Sequence, residues 1–512
     1  MKEVKMETVI NNEKNKIRNK VLLLVLALAV FSFFELGTYG GMNLGFAMSY
    51  VFIFVASTAC LVPVKRHSVF GYICGALSLA FSAVFFLNYS GGVKFLSFVA
   101  ILILYIFYIG SLSGGLLYSL NTFKSAVNLF YIPLGLSFVG VSDVIRLLSR
   151  PKKSGEGTEE DTGRKKGGFS IGLMFLGLLI ALPALTVIIA LLCSADAAFA
   201  ELYSRISKNV GEYIFCAILA VVFTPLVFGM ILRLKKQGEE ESTVNEGAGV
   251  INISLVLGFM GSIALVYLVY LFSQLAYVSG GFLGLLPENY SFADYARRGF
   301  FEMCALSVIN LIILGFCTML CRKKDARSDV PVPVKLFSGF FCAFNLFIIA
   351  SSMAKTVMYV NRYGLTRKRI LIAVFMVMLG VAFVCIALRL IFRKFKYIAV
   401  IVVLCSLIGV VCSLADVDRI IAEYNIEAYE SGRLDKLDID AIGELSDGAV
   451  PALYKFWETT DDPVLKERAE RELSYRVDYS YTDDEKNDFR KFNLARYRAQ
   501  NVLEEFASRI GR

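Results

Sequence analysis

The chain has 512 residues, of which 56% are hydrophobic, 13% aromatic and only 19% charged, a balance too apolar for a water-soluble globular protein of this length. Its net charge of +9 hides an asymmetry: positions 415–512 hold 15 basic and 23 acidic residues, which leaves +17 on the rest. That excess sits in short clusters between apolar runs, with no basic groove or nucleic-acid motif, so membrane topology explains it and nucleic acid is set aside as a partner.

The first 20 residues are basic and read as a cytoplasmic N-terminal segment. The run that follows, VLLLVLALAVFSFFELG, has the look of a secretory signal, but Leu36-Gly37-Thr38-Tyr39 is a poor cleavage site, so it is read as an uncleaved first span. Eleven runs of about 20 apolar residues, each long enough to cross a bilayer, are predicted at 21–37, 43–64, 68–88, 95–117, 169–193, 212–232, 249–275, 299–321, 336–354, 370–391 and 398–414. Lysine and arginine concentrate in alternate connections: Lys65 and Arg66, the stretch from Arg146 to Lys166, Arg233 to Lys236, Arg322 to Arg327, and Arg393 to Lys396. By the positive-inside rule these face the cytoplasm, and an odd span count puts the tail outside.

Two places strain the scheme. The apolar segment 123–141 would reverse the basic 146–166 connection if it crossed; with Pro133, Gly135 and Gly140 inside it, it is read as interfacial or re-entrant. Lys355, Arg362, Arg367, Lys368 and Arg369 form a basic loop on the outer side. The polar, Gly-rich stretches near 149–168 and 233–248 lack apolar periodicity and are read as flexible linkers.

The expected architecture is therefore all-α: a polytopic transmembrane bundle over 21–414 and a small polar all-α domain, extracytoplasmic, over 415–512. In the tail, Asp462-Pro463 marks a helix start, and the capping-box pattern Thr482-Asp-Asp-Glu485 precedes apolar residues from Phe489 to Ile510 at helical spacing. Trp457, the only tryptophan, is read as a core anchor of that domain. All 11 cysteines lie in or beside apolar runs and the one histidine, His67, belongs to a basic span end, so neither a disulfide framework nor a thiolate or imidazole metal site is implied, and no cofactor is expected.

Ionisable groups in or beside spans are costly in lipid and so are the candidate functional residues. Glu35 lies at the outer end of the first span, and Glu302 just inside the eighth, one helical turn after Arg298, with which it can pair. Asp294, Arg297 and Arg298 share an aromatic-rich membrane-interface segment that suits either anchoring or a headgroup-binding surface. Asp196 is an outer-edge acid whose simplest role is capping the next helix. Lys355, Arg362, Thr366, Arg367 and Arg369 surround the start of the tenth span: Thr366 is placed as its N-cap, and the cations suit phosphate groups of anionic lipid or envelope polymer. Gly110 and Gly114 form a GxxxG pattern that suggests close helix packing.

The segments SADAAFAEL (194–202), YARRGFFEM (295–303), RYGLTRKRI (362–370), IAEYNIEAYESGRLD (421–435), LSDGAVPAL (445–453) and FRKFNLARYRA (489–499) resemble, in the same order, those of a bacterial polytopic membrane family catalogued as a domain of unknown function, of the four-one-five-three and four-one-seven-three type. The resemblance runs from about Gly168 to the C-terminus. It implies location and architecture, a multi-pass cell-membrane protein, and carries no activity or catalytic residue.

Three functions compete. A non-enzymatic envelope sensor or scaffold, whose external tail receives a protein partner, suits an acidic, Cys-free tail. A secondary transporter would use Glu35, Glu302, Asn310, Asn345 and Lys355, with Pro183 and Pro225 as helix interruptions, but no internal repeat is evident. A lipid-linked glycosyl or phosphoryl transferase would gather Glu35, Asp196 and Asp294 around an outer-face pocket; no P-loop, HExxH, GxSxG or Rossmann pattern accompanies them.

Overall fold

The computed structural model describes residues 2–39, 41–61, 68–149, 181, 185, 187–189, 191–239, 249–282, 300–322, 330–478 and 488–511. Eleven helices among these are long and apolar enough to cross a membrane, and the fold is an all-α polytopic bundle. In lipid, a backbone can satisfy its own N–H and C=O groups along a single segment only as a helix, which is why hydropathy alone predicts so much of it.

In chain order the elements are α1 (Lys2–Tyr39), α2 (Leu44–Leu61), α3 (Val69–Leu87), α4 (Gly91–Ser113), α5 (Ser137–Leu148), α6 (Ala197–Glu239), α7 (Ile253–Phe282), α8 (Phe300–Leu320), α9 (Val332–Tyr363), α10 (Arg367–Ile391) and α11 (Tyr397–Leu414). The tail adds α12 (Val417–Glu430), α13 (Ile439–Gly443), α14 (Val450–Thr459), α15 (Pro463–Asp478) and α16 (Leu494–Arg509). Buried apolar residues form two cores in the bundle. One joins α1 to α6 around Phe85, Phe107 and Phe228; the other joins α7 to α11 around Phe341, Phe383 and Leu314. The outer faces are apolar as well: on α7, Leu265, Val266, Val269 and Phe272 are each at least 64% exposed. Such a face is a liability in water and the solvated face in hydrocarbon.

Contacts sort the helix ends. At one end, Lys235 of α6 lies within electrostatic reach of Arg18 and Cys60, Gly238 packs on the Ser113 carbonyl, Val250 and Ile251 bond to Leu320 and Arg322, and Phe123 meets the Tyr397 ring at 5.6 Å. At the other end, Glu35 meets Arg490 and Leu365 meets Asn425, so the tail sits there. The far end carries Arg18, Arg233, Lys235, Lys236, Arg322, Arg393, Lys394 and Lys396.

The eleven helices are not quite the eleven predicted spans. They include Phe123–Leu148, whereas the predicted 169–193 lies mostly outside the described residues. Phe123–Leu148 passes through a 3-10 turn (Phe123–Val127) and a π-turn (Tyr131–Leu136) holding Pro133 and Gly135, where a missing N–H breaks the regular ladder. Although long enough to cross, it begins and ends at the far end. Asn128 accepts from the Leu117 and Tyr118 amides, and Asp143 pairs with Arg233 at 2.5 Å. For 123–141, expected to be interfacial or re-entrant, length and composition give a candidate span, while these contacts put both ends of Phe123–Leu148 at one end of the bundle.

Other boundaries move. The expected linker from 233 starts as helix, because α6 runs on to Glu239; positions 240–248 lie outside the described residues. Pro225 sits inside α6 without ending it, and Pro183 is outside the described residues. The basic loop expected at 355–369 is mostly helix: α9 extends to Tyr363 and stops at Gly364, whose φ of 75° ends it. Gly110 and Gly114 do not mediate a helix crossing. Gly110 packs under Leu116 and Ile132, and Gly114 is the left-handed cap of α4. The close crossing is instead Gly140 against Gly229, where a Cβ on Gly229 would lie 2.5 Å from the Gly140 carbonyl carbon.

The tail has its own core, from Ala422 to Phe506, in which Phe456 and Phe506 are at most 2% exposed and each contribute about 2–3 kcal/mol by burial. Trp457 lies on the rim of that core, edge-on to Phe506 at 5.0 Å, with Nε1 donating to Glu470 at 3.2 Å. Asp462 accepts from the Val464 and Leu465 amides, the helix start read from Asp-Pro. The last helix begins later than its apolar spacing suggested: Asn493 caps α16, a 3-10 turn capped by Asp488 covers Phe489–Lys491, and Thr482–Glu485 falls outside the described residues.

Candidate functional site

At the tail-facing end of the bundle, described connections are tied to the tail or to a neighbour by polar side chains. Between α3 and α4, Asn88 accepts from the Ser90 amide at 2.9 Å and donates to the carbonyls of Ser413 and Ala415, joining this turn to the end of α11. Asn493, 1% exposed, caps α16 by accepting from the Arg496 amide while its Nδ2 donates to the Phe85 and Asn88 carbonyls, both at 3.0 Å. One side chain thus starts a tail helix and satisfies carbonyls that the end of α3 leaves without intrahelical partners.

Beside it, Arg490 spans the seam. Its Nε and Nη2 grip Asp488 at 2.9–3.1 Å and its Nη1 reaches Glu35 at 2.8 Å. The Arg490 guanidinium beside Asp488 holds that carboxyl below the usual carboxylate range, against the effect of burial. The Leu44 amide donates to the Phe492 carbonyl at 3.2 Å, so the 3-10 turn lies on the start of α2.

The second clasp closes on the α9–α10 connection. Arg367 meets Asp418 as a fork, Nε to Oδ1 at 2.5 Å and Nη2 to Oδ2 at 2.6 Å, and the Ser446 amide and hydroxyl complete the shell of the same carboxylate. Asp418 is 1% exposed. Burial pushes its carboxyl up, yet the Arg367 and Ser446 hydrogen bonds outweigh that and leave it below the ordinary range. Asn425 exchanges two hydrogen bonds with the Leu365 backbone, at 2.7 and 2.9 Å. A Cβ on Gly364 would lie 2.6 Å from Asn425 Oδ1, so glycine is needed there for space as well as for its positive φ.

The third feature is a cavity of about 360 Å³ beneath the seam, lined by Gly41, Met42, Tyr89, Gly91, Lys94, Phe95 and Phe98. Lys94 is 6% exposed and donates to Asn43 Oδ1 at 2.6 Å. Tyr89 lies between two cations, with Lys94 Nζ 5.0 Å and Arg496 Cζ 5.1 Å from its ring centroid.

A family model matches residues 75–456, three quarters of the chain, and its description is a domain of unknown function, DUF4153. The chain belongs to the DUF4153 family. No curated protein and no solved structure matches it. The DUF4153 match begins earlier than the resemblance at Gly168 and stops before the segment 489–499. The DUF4153 region therefore contains Lys94, Arg367, Asp418 and Asn425, while Glu35, Arg490 and Asn493 lie outside it.

The residues singled out from the sequence fare differently. Glu35 and Arg367 are seam residues, each on a tail partner. Arg362 reaches Asp435 at 3.2 Å, an exposed pair worth little. Arg369 donates to the Tyr363 and Gly364 carbonyls and covers the Tyr359 ring at 4.4 Å. Thr366 stands at the N-cap position of α10, but its side chain makes no cap bond; Asn425 holds the connection instead. Lys355 is buried on α9 at 7% exposure. Asp196 accepts from the Ala198 amide at 2.9 Å, the capping role. Glu302 is exposed in the first turn of α8. Asp294, Arg297 and Arg298 lie outside the described residues.

Deep in the second half-bundle, Asn310 and Asn345 form a polar chain with Tyr267. The Tyr267 hydroxyl donates to Asn310 at 2.5 Å, Asn310 to Asn345 at 3.1 Å, and Asn345 to the Phe341 carbonyl at 2.7 Å. Each step satisfies the next, and the chain ends on backbone, an arrangement that fastens α7, α8 and α9 together. Among the described residues no three Cys, His, Asp or Glu side chains converge in a metal-binding group.

Proposed function

We propose that this integral membrane protein is a non-enzymatic sensor or scaffold of the cell envelope, with its N-terminus in the cytoplasm and its C-terminal helices outside, where they receive an extracytoplasmic protein. The seam carries this reading. A tail held to the bundle by the Asp418–Arg367 fork, the Arg490–Glu35 pair and the Asn493 bonds is mechanically joined to α1, α3 and α10, so that whatever binds the tail acts on the spans. Charge supports this sidedness. The end opposite the tail holds Arg18, Arg233, Lys235, Lys236 and Lys394, whereas Arg362 and Arg367 at the tail end face Asp435 and Asp418.

The test has two parts. A membrane-impermeant maleimide on intact cells should label Ser508→Cys on the exposed face of α16 and spare Glu239→Cys at the far end; the reverse pattern refutes the orientation. Photo-crosslinking from Glu467 and Arg468, both exposed on α15, should trap a discrete protein adduct. Crosslinking no denser than from Glu239 refutes the receiving role. A secondary transporter is the alternative, favoured by the buried Tyr267–Asn310–Asn345 chain within the spans. It requires solute flux in proteoliposomes that Asn310→Leu abolishes. The lipid-linked transferase draws least support, since Glu35 is engaged by Arg490 and Asp196 by a backbone amide.

A further inference from the structure

We propose that the cavity beside Lys94 is a binding site for an anionic phosphate group, the headgroup of an acidic lipid seated at the edge of the bundle. The starting point is an ammonium in the wrong surroundings. Lys94 is 6% exposed within the first turn of a membrane helix, and the hydrogen bond it makes goes to a neutral acceptor, Asn43 Oδ1. Among the described residues no carboxylate lies within ion-pair distance of it. Buried ammonium groups are ordinarily paired, because desolvation costs several kcal/mol per ion; an intramembrane cation held by one amide oxygen and a tyrosine ring is short of negative charge.

The surroundings deepen that shortage. Asp447 lies within electrostatic reach of Lys94, but it is divided between Arg476 at 3.5 Å and Arg496 at 3.7 Å. Two guanidiniums thus already engage this carboxylate, and Lys94 lies beyond ion-pair distance of it. Burial, working against the nearby cations, holds the Asp447 carboxyl above the usual carboxylate range. A ligand bringing negative charge would balance the Lys94 ammonium, and phosphate oxygens suit Lys and Arg donors.

The shape of the cavity selects a headgroup on an apolar stem. About 360 Å³ is at the small end for ligand pockets, enough for a phosphate and its polar substituent and too small for acyl chains. Phe95 and Phe98 form its wall on α4, and Phe95, Leu96 and Leu102 are 65%, 50% and 47% exposed, so an apolar face runs from the cavity along α4. Gly91 leaves the mouth open, with no atom within 4 Å of where its Cβ would stand. On the opposite wall, Met42 has φ of 55°, the one non-glycine with positive φ among the described residues. Left-handed backbone at an unbranched residue is a strained arrangement of the kind that accumulates at ligand sites.

The experiment uses the full chain purified in an uncharged detergent, titrated separately with dioctanoyl phosphatidylglycerol, dioctanoyl phosphatidylcholine and inorganic phosphate. Phosphatidylglycerol should bind, and phosphatidylcholine at least about tenfold more weakly. Lys94→Gln should weaken phosphatidylglycerol about tenfold or more, the loss of one charge-assisted contact, while Lys94→Arg keeps most of it. Gly91→Phe closes the mouth and leaves Lys94 and its partners intact, so it should also abolish binding in a chain that is folded by size-exclusion and melting. Inorganic phosphate binding as tightly as phosphatidylglycerol, with the same loss in Lys94→Gln, would support the anion site and assign it to free phosphate. The proposal is overturned if the two lipids bind alike, if neither phosphatidylglycerol nor phosphate binds, or if Lys94→Gln and Gly91→Phe both bind as the wild type does.

Discussion

Replacing Asn493 by alanine should undock the last helix. The side chain is 1% exposed and makes three hydrogen bonds, two to carbonyls at the end of α3 and one that caps α16. Losing the cap costs about 1 kcal/mol, and each buried carbonyl left without its donor about 1 kcal/mol more. The sum, about 3 kcal/mol, shifts the docked-to-undocked ratio of α16 by about 150-fold. Amide hydrogen exchange reads this directly. Protection at Ala499, Leu503 and Phe506, whose side chains face the tail core, should fall by up to that factor, with much smaller changes in α7 and α8. Arg498→Ala, exposed on the same helix, should leave protection within about twofold. If Asn493→Ala changes exchange in α16 less than about threefold, or loosens α7 and α8 equally, the seam is not where the tail is held.

Asp418 makes the stability of the seam depend on acid. Its folded pKa lies below the unfolded value of about 3.9, so its contribution is complete above that value and fades as pH falls through the folded one. Asp418→Asn should therefore lower the melting temperature at pH 7, by the equivalent of about 2–3 kcal/mol, less than for a fully buried pair because Arg367 stays 38% exposed. It should also flatten the fall in melting temperature between about pH 5 and pH 2 that the wild type shows. Gly229→Leu should cost about 3 kcal/mol or more by forcing α5 off α6, whereas Gly258→Leu, where a Cβ meets nothing within 4 Å, should be neutral; folded yield and melting in detergent distinguish the two.

Hydropathy made the spans α1 to α4 and α6 to α11 legible, because a bilayer leaves the backbone no alternative to helix and demands about 20 apolar residues for each crossing. The Asp462-Pro463 helix start and the Asp196 cap were legible too, since each concerns residues within one turn of each other. Reading 355–369 as a loop failed because charge was taken for exposure. Lys355 is buried on α9, and Arg362 at the end of α9 and Arg367 at the start of α10 are paired with carboxylates far along the chain.

The candidate site was the least legible part. Glu35, Arg362 and Arg367 stood out as charges near lipid, but nothing in their neighbourhoods named Arg490, Asp435 or Asp418. Asn88, Asn493 and Lys94 gave no local signal at all. Periodicity, capping patterns and charge runs act over a few residues and so determine helices, their apolar faces and the two kinds of helix end. Which ends meet, and which carboxylate a buried cation is given or denied, depends on packing between segments up to 455 residues apart, as for Glu35 and Arg490. Only the folded chain brings those groups within the 3 Å or so over which a hydrogen bond acts.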